Sequence, residues 1–449
     1  MSKIPVILTI AGSDSGGGAG IEADVKTIAS IGLHPACAIT SVTAQNTTGV
    51  LSAYDIPCEV IQNQIDAVCD DMDIRYAKSG MLSSSDIIST VAKMVKKHDL
   101  KLVVDPVMAA EAGGDLLRKD AVSTLKEELL PVSEVVTPNI NEANILSGMQ
   151  ITNVEEAKEA AKVISQTGVK IVIVTGGHLD ASDIIYDSEK DTYTIIPGTF
   201  VKGGTHGSGC TYSAALASSL AQGYKIDEAA KVAKDFVVEA IKGSVPVGKG
   251  VGPVNQLASI LQNSERYTVL QNMKEGVRIL TGCKEFAGLI PEVGCNIAMA
   301  LPAAESTEDI AAVTGRIVKL KGTVHVVGDI EFGASSHVAR IILASMKYDP
   351  ISRAAVNIRY SEQLIDICQE LDFSISSFSR DEEPENTHTM DWGTEDAIKK
   401  YGSVPDIISD KGGIGKEAMI RIIGHSATEV TQKAAKIAEK YAARKTKLN

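Results

Sequence analysis

The stretch from Gly203 to Thr211 alternates glycines with Thr205, His206, Ser208 and Cys210, and the small residues Tyr212 to Gln222 follow. Such a loop resists helix, whereas Ala214 to Ala221 favours one, closed by Gly223. A flexible loop feeding a helix N-terminus leaves several N–H groups unpaired, backed by the positive end of the helix dipole. The spacing therefore predicts a cradle for an anion, phosphate above all. Cys210 lies in the same field, which is expected to lower its thiol pKa. A purely structural reading is a capped loop with a small buried cysteine. A second glycine loop, Gly12 to Gly20, follows the apolar run Val6 to Ala11 and leads into a helix from Ile21 to Ser30. Later in the chain Arg316, His337 and Arg353 accompany a third, Gly412-Gly413-Ile414-Gly415-Lys416, expected to precede a helix. Ser335 or Ser336 caps a helix with His337 in its first turn. Singly these are a capping histidine and solvated arginines; together they form a candidate pocket for phosphate or pyrophosphate, with Lys416 as a point charge.

The elements that must position these residues alternate from the start. Lys101 to Val104 reads as a strand ending in Asp105-Pro106; Val135-Val136 ends in Thr137-Pro138-Asn139, and Val169 to Val174 in Thr175-Gly176-Gly177. Ser84 to Lys97 and Val154 to Gln166 have helical spacing. Strand and helix at this pitch predict an α/β fold with a mostly parallel sheet flanked by helices, its polar residues gathered at the carboxyl ends of strands. Asp183 to Tyr186 and Thr192 to Ile196 read as an edge hairpin. A loop from Gly243 to Pro253 and a polar stretch to Arg266 place a boundary there, with domains over 1–262 and 267–449. The second is a separate, smaller α/β domain. It opens with a helix from Tyr267 to Gly282 and carries a hairpin at Arg316 to Leu320 and Thr323 to Val327.

Three motifs of the first domain carry a family resemblance: Ala11-Gly12-Ser13-Asp14-Ser15-Gly16-Gly17-Gly18-Ala19-Gly20, Ala44-Gln45-Asn46-Thr47 and Thr205-His206-Gly207-Ser208-Gly209-Cys210. They resemble hydroxymethylpyrimidine/phosphomethylpyrimidine kinases of the ribokinase-like superfamily, and the likeness spans residues 4 to 255. It implies transfer of the ATP γ-phosphoryl group to a pyrimidine alcohol and then to its monophosphate. By this resemblance the pyrimidine lies against Gly12, Asp24, Gln45, Met81 and Val107. Gln45 offers a donor and an acceptor to an aminopyrimidine edge. Asn139, Thr175, Gly177, Thr205, Gly207 and Gly209 lie along the nucleotide, while Asp105 and Glu142 stand near Mg2+. Where the superfamily usually places an aspartate as base, this chain has Cys210, which accepts the alcohol proton or steadies the phosphoryl charge.

In the second domain, Gly315-Arg316-Ile317-Val318, Phe332 to Arg340, Asn357-Ile358-Arg359-Tyr360 and Gly413 to Glu417 resemble the archaeal-type thiamine-phosphate synthase domain. The implied reaction joins hydroxymethylpyrimidine diphosphate to thiazole phosphate and releases pyrophosphate. Arg316 and His337 are the expected catalytic residues; Arg353, Gly413, Gly415 and Lys416 are expected on a phosphate. Two alternatives stand beside this reading: a kinase for a pyridoxal-like alcohol, and a second domain that senses thiamine phosphates without turning them over.

Whole-chain properties narrow the classes. A net charge of −13 and only 4% aromatic residues exclude general nucleic-acid binding. Seven cysteines without a Cys-x-x-Cys pair read as reduced thiols of a cytoplasmic protein. Pro291, Glu292 and Pro302 interrupt the apolar stretch Phe286 to Ala304, so no membrane partner is expected. Small-molecule substrates, ATP and Mg2+ are the expected ligands, and a homodimer the expected assembly.

Overall fold

A computed structural model describes residues 4–109, 116–118, 120–177, 180–384, 389–413 and 415–448. The chain divides into two compact units, Met1–Leu261 and Gln262–Asn449. The division falls inside one helix, Ala258–Gly282, which begins nine residues before the Tyr267 expected from the sequence. Its buried residues, Val269, Met273, Gly276 and Leu280, all lie in the second unit.

In the first unit the described strands are β1 (Val6–Asp14), β2 (His34–Asn46), β3 (Gly49–Asp55), β4 (Ile74–Ser79), β5 (Lys101–Val104), β6 (Val135–Val136), β7 (Ile171–Val174), β8 (Asp183–Asp187) and β9 (Thr192–Ile196). They form one sheet in the order β3-β2-β1-β4-β5-β6-β7-β8-β9. The strands from β2 to β7 run parallel, and β3, β8 and β9 pair antiparallel at the two edges. The central strands are continuous apolar runs because both faces are covered: Leu8, Ile10, Leu102 and Val104 join one core, Ile7, Val103 and Ile173 the other. The chain reverses its strand order between β1 and β4, the place where a ligand crevice opens in such sheets. The helix Ser208–Ala221 buries Ser213, Ala214, Ala215, Ala217 and Ser218, whose small side chains let its backbone lie close to the sheet.

The second unit has a different plan. Its described strands are β10 (Ile297–Ala300), β11 (Ile310–Val313), β12 (Ile317–Leu320), β13 (Thr323–Val326), β14 (Ile330–Phe332), β15 (Ala354–Arg359), β16 (Ile375–Ser377), β17 (Ile407–Asp410) and β18 (Met419–Gly424). Seven form a sheet ordered β14-β11-β10-β15-β18-β17-β16, antiparallel except for β16–β17, and β12–β13 is a separate hairpin. Alternation sorts the faces. Ile297, Met299, Val356, Ile420 and Ile422 meet the helices Ala258–Gly282, Glu362–Glu370 and Ala427–Leu448. Ala298, Ala300, Ala355 and Ile423 meet Ser336–Met346 and Thr389–Tyr401. One expectation is corrected here: the loop after Asp410 leads into β18, not a helix, so no helix dipole backs it. Among the described residues of the chain, no helix is long and apolar enough to cross a membrane.

Candidate active sites

In the first unit the two glycine loops close on each other. Asp14, at the end of β1, accepts the amides of Gly16, Gly18 and Ala19 at 2.8, 3.0 and 2.9 Å, and His206 Nε2 lies 3.0 Å from its Oδ2. These contacts, the imidazole first among them, outweigh the cost of burial and hold the Asp14 carboxyl below its usual range. The loops touch so closely that a Cβ on Gly18 would stand 2.3 Å from His206 Cδ2. Gly207 caps the helix Ser208–Ala221 at φ +82°, and a Cβ there would meet Gly18 O at 1.9 Å.

Around this junction lies a cavity of about 750 Å³. Gly12, Gln45, Met81, Val107, Asn139, Thr175, Gly177, Thr205, Gly207, Gly209 and Cys210 all line it, as do Asp105 and Glu142. Asp24 does not: it is fully buried on the inner face of its helix, accepting from Thr9 Oγ1 at 2.6 Å and Lys78 Nζ at 2.9 Å. Its carboxylate is therefore satisfied by protein groups below the cavity. Lys78, a residue the sequence reading missed, joins Asp24 to Asp105, whose Oδ2 is 3.9 Å from the ammonium. Asp24 and the charges near it hold that ammonium above its ordinary pKa against full burial. Strand β4 also carries Arg75 and Ser79, so its local sequence does not single Lys78 out, and the two acidic partners come from distant segments.

Glu142 forms a capping box with Asn139: each side chain accepts the other's backbone N–H, at 2.9 and 3.0 Å. Burial, then the negative charge of Asp105, pushes Glu142 up to about 8. Asp105 is likewise raised, by burial first. Two buried carboxylates on one cavity, each made costly by its surroundings, suit an oxygen-seeking divalent cation. Among the described residues no group of three or more His, Cys, Asp or Glu side chains could hold a metal by itself. Cys210 departs from expectation. Burial raises its thiol, and Asp105 and Asp24 raise it further against the pull of Lys78, to about 12. Burial above all outweighs the pull of Lys78, so the resting group is a thiol.

In the second unit a cavity of about 240 Å³ is lined by Arg316, His337, Gly415 and Lys416, together with Arg380, Asn296, Asn357 and Glu417. Gly413 and Arg353 are not in the lining. Arg353 precedes β15 and points a guanidinium nitrogen toward Ala300 O, 3.5 Å away, while Gly413 pairs with Lys416 across the loop. Arg316 takes φ +70°, unusual for a side chain with a Cβ, and donates to Val293 O. Burial lowers His337, and Arg421, Arg380 and Arg316 repel its proton, to about 4. The residue keeps an open face, which weakens the burial effect and leaves the guanidiniums as the steadier cause. Arg380 was missed because its partner Asp410 is thirty residues away in the chain; only the sheet order brings it beside β17.

Residues 14–255 match the phosphomethylpyrimidine kinase family, and residues 272–436 match the thiamine-phosphate synthase ThiN family. The chain is 39% identical over 434 residues to the bifunctional thiamine biosynthesis protein ThiDN of Methanocaldococcus jannaschii, covering 95% of this chain and 97% of that relative. It is 44% identical over 265 residues to the hydroxymethylpyrimidine/phosphomethylpyrimidine kinase of Haemophilus influenzae, covering 58% of this chain and 98% of the relative. Among solved structures, an ADP complex of Bacillus subtilis pyridoxal kinase is similar at a TM-score of 0.54 and 38% identity, over 58% of this chain and 100% of that one.

Proposed function

From its membership of the family that joins a phosphomethylpyrimidine kinase to a ThiN-type thiamine-phosphate synthase, we propose that this chain carries out consecutive steps of thiamine biosynthesis. The first unit phosphorylates 4-amino-5-hydroxymethyl-2-methylpyrimidine with ATP and then phosphorylates the monophosphate. The second condenses the diphosphate with thiazole phosphate and releases pyrophosphate. The observation that carries this reading is the pair of chemically distinct cavities. One has interlocked glycine loops, a thiol and two carboxylates; the other has guanidiniums around a histidine.

In the first cavity the amides of the Gly207–Cys210 turn face the transferring phosphoryl group, and Gln45 reads the pyrimidine edge. Asp105 and Glu142 would hold Mg2+, which would neutralise phosphate charge. Cys210 meets the alcohol as a thiol: as the alcohol proton passes to Sγ, the thiol's own proton passes to the Asp105 carboxylate with which it hydrogen-bonds. The monophosphate acceptor is already anionic, so the second transfer relies on positioning alone. In the second cavity, breaking the pyrimidine methylene–oxygen bond leaves negative charge on the departing diphosphate, which Arg316 stabilises beside a neutral His337.

The test supplies the full chain with ATP, Mg2+, the pyrimidine alcohol and thiazole phosphate, and follows thiamine phosphate by chromatography. Thiamine phosphate is the expected product, with Arg316→Ala and His337→Ala abolishing it while the diphosphate accumulates. Diphosphate without thiamine phosphate from the unaltered chain would make the second unit a sensor. The similarity to pyridoxal kinase favours one rival substrate, and a higher kcat/KM for pyridoxal than for the pyrimidine alcohol would overturn the kinase assignment. We read the chain as a cytoplasmic homodimer: edge strand β3 exposes Leu51 and Tyr54, apolar surface suited to a second copy. A monomeric mass in solution would remove that reading.

A further inference from the structure

The second cavity contains a guanidinium that none of its assigned roles uses. The side chain of Arg380 is nine-tenths buried, at 10% exposure, and lines the cavity with Arg316 and His337. Asp410, at the end of β17, grips it through Nε at 2.6 Å and Nη2 at 3.2 Å. Among the described residues, Arg380 Nη1 has no hydrogen-bond partner. Asp410 is itself oversubscribed. Its Oδ2 also takes Arg421 Nη2 at 2.6 Å, and its Oδ1 takes the Gly412 amide at 2.8 Å. Arg421 is fully buried, with its guanidinium 5.2 Å from the Phe378 ring centroid, and among the described residues its Nε and Nη1 have no hydrogen-bond partner. One carboxylate thus serves two guanidiniums in a dry setting, and the excess is positive.

Glu417 of the cavity and Glu383 nearby do not supply the missing charge to Arg380. Glu417 spends both oxygens on the amides of Glu292 and Val293, at 3.0 and 3.2 Å. Glu383 lies 3.9 Å from Lys416 Nζ. Burial of a guanidinium without a full counter-charge is costly unless a ligand completes it. The fork held by Asp410 is rigid, so little side-chain freedom is lost when an oxyanion takes the free edge.

The geometry points to Arg380 as a further substrate-binding residue of the second unit: oriented by Asp410 against Arg421, it takes a phosphoryl oxygen of the substrate opposite Arg316. This inference rests on the reading of that cavity as the synthase site. The shared chemistry is a phosphate oxyanion, and its source is the pyrimidine diphosphate or the thiazole phosphate. The repulsion that Arg380, Arg421 and Arg316 exert on His337 supports the convergence of all three on one space.

The test compares the unaltered full chain with Arg380→Gln and Arg380→Lys, supplied with hydroxymethylpyrimidine diphosphate and thiazole phosphate, each varied at saturating partner. If the unaltered chain makes no thiamine phosphate, the synthase reading fails and this inference with it. If it does, Arg380→Gln is expected to lose about 10- to 100-fold in kcat/KM for one substrate, the scale of a charged hydrogen bond. A rise confined to the diphosphate KM, with weaker inhibition by pyrophosphate, identifies the diphosphate as source; a rise confined to the thiazole phosphate KM identifies the acceptor. Arg380→Lys keeps the charge without the fork and is expected to recover only part of the loss. Unchanged kcat/KM for both substrates in a folded Arg380→Gln overturns the inference. Should that variant fail to fold, Arg380→Lys decides: full activity overturns it, and a tenfold loss with an unchanged Tm supports it.

Discussion

At the scale of single residues, environment overrides what residue type suggests. Cys210 sits at a helix start, yet burial and the charges of Asp105 and Asp24 keep its thiol protonated. A protonated thiol relays or donates, and only the first phosphoryl transfer has an alcohol proton to move. We therefore expect Cys210→Ala to lower the first phosphorylation by about 10²-fold or more and the second by much less. Separate single-turnover assays with the alcohol and the monophosphate check this, and equal losses would assign the thiol to phosphoryl charge alone. His337 shows the same principle with opposite sign. Its folded pKa lies below the ordinary 6.5, so between the two values the unfolded chain binds more protons. The stability it contributes is present above pH 6.5 and is lost as pH falls through the folded value. Thermal unfolding of His337→Gln is expected to show a flatter loss of Tm below pH 6.5 than the unaltered chain; parallel curves would remove the effect.

At the scale of elements, loops are fixed by other loops. Gly207 holds a left-handed conformation and leaves no room for a methyl group against Gly18 O. Gly207→Ala should destabilise the first unit by more than about 1 kcal/mol and raise KM for both ATP and the pyrimidine, because one side chain parts two loops. Denaturant titration and steady-state kinetics test it, and a KM change for one substrate alone would mean the loops act separately. In the second unit one strained position is the entry to the β12–β13 hairpin, where Arg316 takes φ +70°. Non-glycine residues held there store strain that is often tied to function. Arg316→Gly relieves the strain and removes the guanidinium, so we expect an equal or higher Tm with synthase activity lost. A lower Tm would show that the contact with Val293 O stabilises more than the backbone costs.

At the scale of the whole molecule, two units with separate apolar cores share one chain. The dividing helix has no fully buried residue in the second unit before Val269, so a chain of residues 267–449 keeps Val269, Met273, Gly276 and Leu280 and gives up the Arg266 guanidinium 3.8 Å from the Phe332 ring centroid. That fragment is expected to unfold cooperatively and to make thiamine phosphate from supplied diphosphate and thiazole phosphate. A folded fragment without activity, beside an active full chain, would mean that the synthase step needs residues before 267.

Much of the first unit was legible in the sequence because its chemistry is local. Glycine loops directly follow a strand or precede a helix, and apolar runs of four to nine residues declare central strands. The second unit was less legible. Its strands are short, several consist largely of alanine, and they pair out of sequence order, so β10 and β11 carry little periodic signal. The sequence by itself determined the two-unit plan, the glycine loops and the choice of Cys210, Arg316 and His337, which the structure sets on two cavities. Only the tertiary structure decided their electrostatics. It set Lys78 between Asp24 and Asp105, withdrew Asp24 from the cavity and brought Arg380 to Asp410. Coulomb interactions depend on distances between residues far apart in the chain and on burial, and folding alone sets both.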